Sequence, residues 1–261
     1  MIRSLSILTP LAVLLASFAF AQPKTPEKTV KLFNGKDLTN FYVSLKDNKR
    51  NDPKGVFTVK NGAIHVSGEE WGGFVTVDEW TNYHLVVEWK WGGKNHPPRV
   101  DKARDSGILV HGVGEDGAAG SGWLESIEYQ IIEGGTGDMI LVRGKTRPSA
   151  SAEIEAGANK QIYWKKGGEK VTRDQGRINW YGRDRNWQDK LGYRGPDDVE
   201  KPVGKWNKSE IIADGSTLKY YLNGKLVLEA TDVRPTGGKL QFQSEAAEIL
   251  FRKIELRPLK K

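Results

Sequence analysis

Three stretches of the chain carry polar, chemistry-capable side chains at every second position. Glu128 and Gln130 flank Tyr129 in Glu128-Tyr129-Gln130-Ile131-Ile132, and Gln241 and Gln243 flank Phe242 in Leu240-Gln241-Phe242-Gln243. Glu245 joins the Gln243 face if that strand runs on. In Ile108-Leu109-Val110-His111 the imidazole points away from Ile108 and Val110. Successive residues of a strand face opposite sides of the sheet. Each stretch therefore predicts one apolar face and one face bearing a carboxylate, an amide or an imidazole. Side by side, the three strands would gather these groups into a polar concave patch able to move protons. The competing arrangement is a solvated outer face, but such a face favours Lys, Thr and Ser over Gln, Glu and His. Among the other histidines, His65 and His84 fall in strands and read as structural. His96, before Pro97-Pro98, lies in a loop that can face the patch.

The elements that must position these groups are strands almost throughout. Phe57–Lys60 and Ala63–Val66 flank Asn61-Gly62, and Thr217–Leu222 and Lys225–Ala230 flank Asn223-Gly224; both read as hairpins. Tyr83 to Trp91 sets Tyr83, Leu85, Val87, Trp89 and Trp91 against His84, Val86, Glu88 and Lys90. Further strands are expected at 30–33, 73–77, 106–112, 126–133, 206–213, 238–244 and 248–256. The first and last of these are expected to pair. Residues 92–105 and 143–160 read as loops. The long basic segment 165–204 carries Trp180, Tyr181, Trp187 and Tyr193 among Arg183, Asp184 and Arg185. These suit stacking and hydroxyl bonding on a sugar, and equally a small core that pins a long loop. No helical period of useful length appears. The class is all-β, two packed antiparallel sheets.

Arg3, the apolar run Leu5 to Phe20 and Ala19-Phe20-Ala21 read as a cleavable signal peptide, residues 1–21. Residues 22–29 read as a linker and residues 30–261 as one domain. A periplasmic or secreted location is therefore expected. No later segment is apolar enough to span a bilayer, so no integral membrane segment is expected after cleavage. The chain has 0 cysteines, so its core holds the fold without disulfides. The formal charge of +7 is spread as mixed Lys/Glu and Arg/Asp, which argues against a nucleic-acid partner. Among 9 tryptophans, some are expected in the core and some exposed, where a secreted β protein stacks them on sugar rings.

Leu32-Phe33-Asn34-Gly35-Lys36-Asp37-Leu38, Ser106-Gly107-Ile108-Leu109-Val110-His111-Gly112 and Glu128-Tyr129-Gln130-Ile131-Ile132 follow one another in the chain. Gly204-Lys205-Trp206-Asn207, Asn223-Gly224-Lys225, Gly238 to Ser244 and Phe251-Arg252-Lys253-Ile254 come after them. In this order the set resembles the 3-keto-disaccharide hydrolase family from about residue 30 to the end. The chain departs from the family's habits with His111 for an Arg, Lys205 for a Glu and Lys253 for an Asn. The resemblance implies a concanavalin A-like jelly-roll sandwich with a carbohydrate site on its concave sheet. It also implies an enzyme that cleaves 3-keto-glucosides by elimination and hydration.

A ketone at carbon 3 acidifies the hydrogen at carbon 2, so this chemistry needs a base and a group that stabilises the enolate. The resemblance points to Glu128 as base with His111 second, and to Arg252 or Arg104 at the enolate oxygen. Gln130, Gln243, Glu245, Arg104, Trp180, Tyr181 and Trp187 are the expected substrate contacts. The resemblance also admits a divalent cation of unknown identity, held by His111, Glu128, Glu133 and Asp138, although no ligand spacing supports it. Two other readings stand beside this one. One is a lectin-like carbohydrate-binding module without chemistry. The other is an ordinary β-glucanase with paired carboxylates; it is weakened by Gln130, an amide where a second acid beside Glu128 is wanted, which Glu125 or Glu133 would have to supply.

Overall fold

Period-two alternation broken by turns drives the chain into strands. The computed structural model describes residues 22–260; the expected signal peptide lies outside the described residues. The strands in chain order are β1 (Val30–Lys31), β2 (Phe41–Leu45), β3 (Phe57–Lys60), β4 (Ala63–Val66), β5 (Gly72–Thr76), β6 (Trp80–Thr81), β7 (Tyr83–Asn95), β8 (Asp105–Val113), β9 (Glu125–Ile132) and β10 (Met139–Val142). They continue as β11 (Ser149–Ala156), β12 (Ile162–Trp164), β13 (Glu169–Arg173), β14 (Gly176–Ile178), β15 (Asn207–Asp214), β16 (Thr217–Leu222), β17 (Lys225–Arg234), β18 (Gly237–Ser244) and β19 (Ala247–Arg257). A single 3-10 turn, Ala158–Lys160, is the helical content of the described residues.

These strands form two antiparallel sheets. One has the order β12-β11-β17-β16-β15-β7-β19-β4-β3, with β1 on β19 and β13 on β11. The other has the order β14-β10-β9-β8-β18-β5-β2, with β6 on β18. The expected pairing of the ends is present: Val30 is opposite Leu256. Both Asn-Gly hairpins form, with Asn61, Gly62, Asn223 and Gly224 all at positive φ, as the tight primed turn requires.

The core lies between the sheets. Tyr83, Leu85, Val87, Trp89 and Trp91 of β7 are buried in it, as the alternation predicts. Ile127, Tyr129 and Ile131 of β9, Ile108 and Val110 of β8, and Leu240 and Phe242 of β18 meet them from the second sheet. Phe74 and Phe242 stack with centroids 4.8 Å apart, and Phe251 meets Phe242 edge-on at 5.7 Å. Because alternate residues face oppositely, this aromatic cluster aims Gln241 and Gln243 to the other side of β18.

Three segments differ from their expected form. Residues 143–160 contain β11 rather than a loop; Ala150, Ala152 and Ile154 are buried and alternate with Ser149, Ser151 and Glu153. Alanine has little strand preference, so the period was masked. Residues 22–29 are docked rather than free: the Lys24 N–H bonds the Glu79 carbonyl at 2.8 Å, and Pro26 is buried. The segment 165–204, read as one long loop, opens with β13 and β14; the part after β14 lacks regular structure but is pinned. Glu200 accepts bonds from Trp91 Nε1 at 2.7 Å and Thr136 Oγ1 at 2.8 Å. Trp187 Nε1 donates to the Glu133 carbonyl at 2.9 Å.

Phe242→Ala removes the ring that joins the two sheets behind the polar face. It should cost about 3–5 kcal/mol of unfolding free energy in urea titrations. The exposed Lys36→Ala should stay within about 0.5 kcal/mol.

Candidate active site

The core-facing residues of the smaller sheet fix what lies on its other face. Pairing β9 with β8 sets Glu128 beside Leu109 and Gln130 beside Gly107. Pairing β10 with β9 and β14 sets Ile140 between Glu128 and Arg177. On the other side β18 brings Gln241 beside Leu109, and β5 brings Gly73 beside Gln243. One row across the sheet thus reads Arg177, Ile140, Glu128, Leu109, Gln241. The next holds Gln130, Gly107, Gln243 and Gly73.

Gly107 is what lets this face close up. A Cβ built there would collide with Glu128 Oε1 and with Gln243 Oε1. The two side chains therefore lean together over the bare backbone of β8. Gln241 is tied back to the framework, accepting from the Leu124 N–H at 2.9 Å and donating to the Gly122 carbonyl at 2.9 Å. Gln243 Oε1, Gln130 Oε1 and Asp105 Oδ1 are buried acceptors with no hydrogen-bond partner. Buried polar atoms are nearly always paired, so three unpartnered acceptors on one face call for donors from a bound molecule or water.

Burial and like charge set the proton affinity here. Loss of solvent pushes the Glu128 carboxyl up to about 8; Asp105 and Asp138 add to this, while Arg177 and Gln243 oppose it. Burial also lifts Asp105 to about 6 against the pull of Arg99 and Arg177. Glu245 follows directly on β18 and is partly exposed, at the mouth of the cluster. Its carboxyl is held well above the usual carboxylate range by burial, then by Asp105 and Glu128. At neutral pH the site thus holds protonated carboxyl groups close to ionised ones, an arrangement suited to acid–base work.

The expected site residues divide clearly. Glu128, Gln130, Gln243 and Glu245 come together on one face. His111 does not join them. It sits at a bulge between Val110 and Val113 with φ of 56°, which breaks the alternation. Its ring is fully buried 5.9 Å from the Tyr83 ring, Nδ1 lies 2.8 Å from the Pro235 carbonyl oxygen, and burial drives its pKa down to about 4. Arg252 belongs to the other sheet, where it binds Glu88 at 2.6 Å and covers the Trp206 ring. Arg104 is committed to Glu133 at 2.6 Å. Trp180 is a core residue, and Tyr181 packs by Trp164 under Lys225. Trp187 is half-buried beneath the Arg183 guanidinium.

The expected cation ligands do not fit an ion. Glu133 spends its oxygens on Arg104 and on the N–H groups of Arg104 and Gly192, at 3.0 and 2.8 Å. Asp138 accepts the Trp180 N–H at 2.8 Å and ion-pairs with Arg177 and Arg183. His111 is on the wrong side of the sheet. Among the described residues no group of three His, Asp or Glu side chains converges to hold a metal. Neither Glu125 nor Glu133 gives Glu128 a second acid: each stands an odd number of residues from it, on the opposite side by strand alternation, and Glu125 accepts the Thr146 N–H at 2.8 Å while Glu133 is spent on Arg104.

Asp105, Gly107 and Arg177 were not foreseen. Asp105 and Gly107 share the alternation of β8, so the period carried a signal one residue before the expected start. Arg177 sits in a three-residue strand with no sequence signature. At the opposite edge Trp71 precedes β5 and stacks on Trp123 with centroids 5.6 Å apart, giving this side an aromatic wall.

Glu128 and Glu200, and with them Glu245, have raised pKa values and bind protons in the folded state that the unfolded chain has released. Folding stability must then fall as pH rises toward 8. His111, held neutral, acts in the opposite sense below about pH 6.5. Urea titrations between pH 6.5 and 8 should therefore show falling stability, by at most about 1.4 kcal/mol per pH unit for each group. Glu128→Gln should flatten the slope.

A family model for a 3-keto-alpha-glucoside-1,2-lyase-like domain matches residues 28–257. No curated protein matches in sequence. A candidate glycosyl hydrolase from Parabacteroides distasonis ATCC 8503 is similar in structure, with TM-score 0.52 and 20% identity over 90% of this chain and 95% of its own. A second one from the same organism gives TM-score 0.50 and 21% identity over 89% and 100%. At these identities the likeness concerns the fold. By the match across nearly its whole length the chain belongs to the 3-keto-alpha-glucoside-1,2-lyase-like domain family, which makes it a carbohydrate-active, glycosyl hydrolase-like domain.

Proposed function

We propose that the protein cleaves 3-keto-glucosides by elimination across carbons 1 and 2, followed by hydration, with Glu128 as the base. One observation carries this reading: a buried carboxyl with raised proton affinity sits amid unpartnered amide acceptors, as a polyhydroxyl substrate and a proton-abstraction step would need. In this scheme sugar hydroxyls donate to Gln130 and Gln243. The ionised fraction of Glu128 takes the hydrogen from carbon 2, and the electron pair moves onto the carbon 3 oxygen as an enolate. Arg99, paired with Asp105 at 3.2 Å on the side of Glu128 away from β14, is a cation that can balance that charge. The enolate collapses, the bond from carbon 1 to the aglycone oxygen breaks, and that oxygen takes up the proton that Glu128 has just removed. Water then adds to carbon 1 and carbon 2 regains a hydrogen.

Export belongs to the same reading. The signal-like residues 1–21 would place the domain where extracellular or periplasmic glycosides are met. No helix among the described residues is long and apolar enough to cross a membrane.

The test is turnover of a 3-keto-glucoside beside the ordinary glucoside. The keto substrate alone should be cleaved, and kcat/KM should rise as pH approaches 8, because the base must be ionised. Glu128→Gln should lower kcat/KM by about 10²–10⁴ without loss of fold. Cleavage of the ordinary glucoside would indicate a conventional glycosidase, and binding without turnover a lectin. Gly107→Ala pushes Glu128 and Gln243 apart and should cut turnover while leaving the circular dichroism spectrum unchanged.

A further inference from the structure

Beyond Arg177 the polar face opens into a cleft of about 400 Å³ lined by Lys160, Gln161, Arg177, Asn179, Arg183, Arg185 and Trp187. Four of these residues are cationic and no carboxylate lines the cleft. The acids that answer them stand behind it: Asp138 is fully buried and binds Arg177 and Arg183, and Glu155 binds Arg185 from the side. Asp138 can balance one of its two guanidinium partners, so the cleft keeps an excess of positive charge. Trp187 beneath Arg183 and Tyr163 beneath Arg185 hold the two guanidinium planes by cation–π contact, at 4.2 and 4.1 Å. Lys160 stands at the rim with φ of 61°, next to Asn159 at 54°. A non-glycine pair in the left-handed region is a conformation that surrounding structure must hold in place.

The cleft is not a separate surface. Arg177 lies two strands from Glu128, about 10 Å at roughly 4.8 Å per strand, which is the reach of one sugar unit past the reacting ring. We propose that this cleft is an anion subsite for the aglycone, and that the preferred substrates carry a carboxylate or a sulfate ester on the group that leaves. The inference rests on the keto-glucoside reading for the direction of the substrate. A 3-keto-glucosyl unit has no ionised group of its own, so an anion reaching the cleft must belong to the aglycone. Guanidinium groups bind both oxyanions through paired N–H donors.

The experiment compares three 3-keto-glucosides with glucose, glucuronate and 6-O-sulfoglucose as aglycone. Either anionic substrate should exceed the neutral one by about tenfold in kcat/KM at low salt, with the advantage shrinking as salt rises. Whichever of the two is favoured identifies the anion. Lys160→Glu should reduce the ratio of anionic to neutral kcat/KM by roughly tenfold, and Lys160→Gln by less. Equal rates for all three substrates, unaffected by Lys160→Glu, would overturn the subsite. A second arm does not depend on turnover. Calorimetric binding of 4-O-glucosyl-glucuronate, a disaccharide with no ketone and with its carboxylate on the aglycone unit, should be measurable for the wild type, weaker for Lys160→Glu, and salt-sensitive. If the keto substrates are not cleaved yet this binding is present, the functional reading fails and the anion subsite stands. If they are cleaved and 4-O-glucosyl-glucuronate binds no better than cellobiose, the subsite fails alone.

Discussion

The carboxyl of Glu128 is held out of water over a glycine, and the rest of the site is arranged around that constraint. Gly107 provides the room: any side chain there would strike both Glu128 and Gln243. Solvent exclusion then raises the carboxyl's proton affinity, and Asp105 and Asp138 add their negative charge. An isolated buried anion would be costly, so the surrounding guanidinium groups of Arg177, Arg183 and Arg99 are structural necessities as well as chemical tools. Asp138 organises two of them, fixing Arg177 beside the carboxylates and Arg183 over Trp187.

The sandwich serves this arrangement through its alternation. Phe74, Phe242 and Phe251 lock the sheets together on one side of β18, which turns Gln243 to the other. Tyr129, bonded through its hydroxyl to Ser209 at 3.1 Å, does the same for Glu128 and Gln130 on β9. Each functional side chain thus stands directly opposite a residue fixed in the core. A base placed this way is held by strand geometry and not by a mobile loop. The long segment after β14 adds the cationic rim, pinned by Glu200 and Trp187.

Much of this was legible in the residues. The strand periods of β7, β9 and β18 named both the core and the polar face, and both Asn-Gly turns formed as expected. Glu128, Gln130, Gln243 and Glu245 could be placed on one face because strand alternation is strictly periodic. His111 was misplaced for the converse reason: a bulge shifts the register, and no residue type announces it. Arg252 and Arg104 were misassigned because an arginine in a sequence does not declare its partner; Glu88 and Glu133 are distant in the chain. Arg177 lay in a strand too short to carry a pattern, and β11 was hidden by its alanines. Local periodicity reports facing; it cannot report which strands become neighbours, and the cation at the site depends on that.

The central claim is that Glu128 removes the hydrogen from carbon 2 of a 3-keto-glucoside. The most direct measurement is the fate of deuterium at that carbon. With a substrate deuterated at carbon 2, the account predicts that cleavage releases deuterium to solvent faster than buffer alone does, and that Glu128→Gln abolishes this release. Cleavage that keeps the deuterium in the sugar product would mean direct displacement at carbon 1 and would contradict the account.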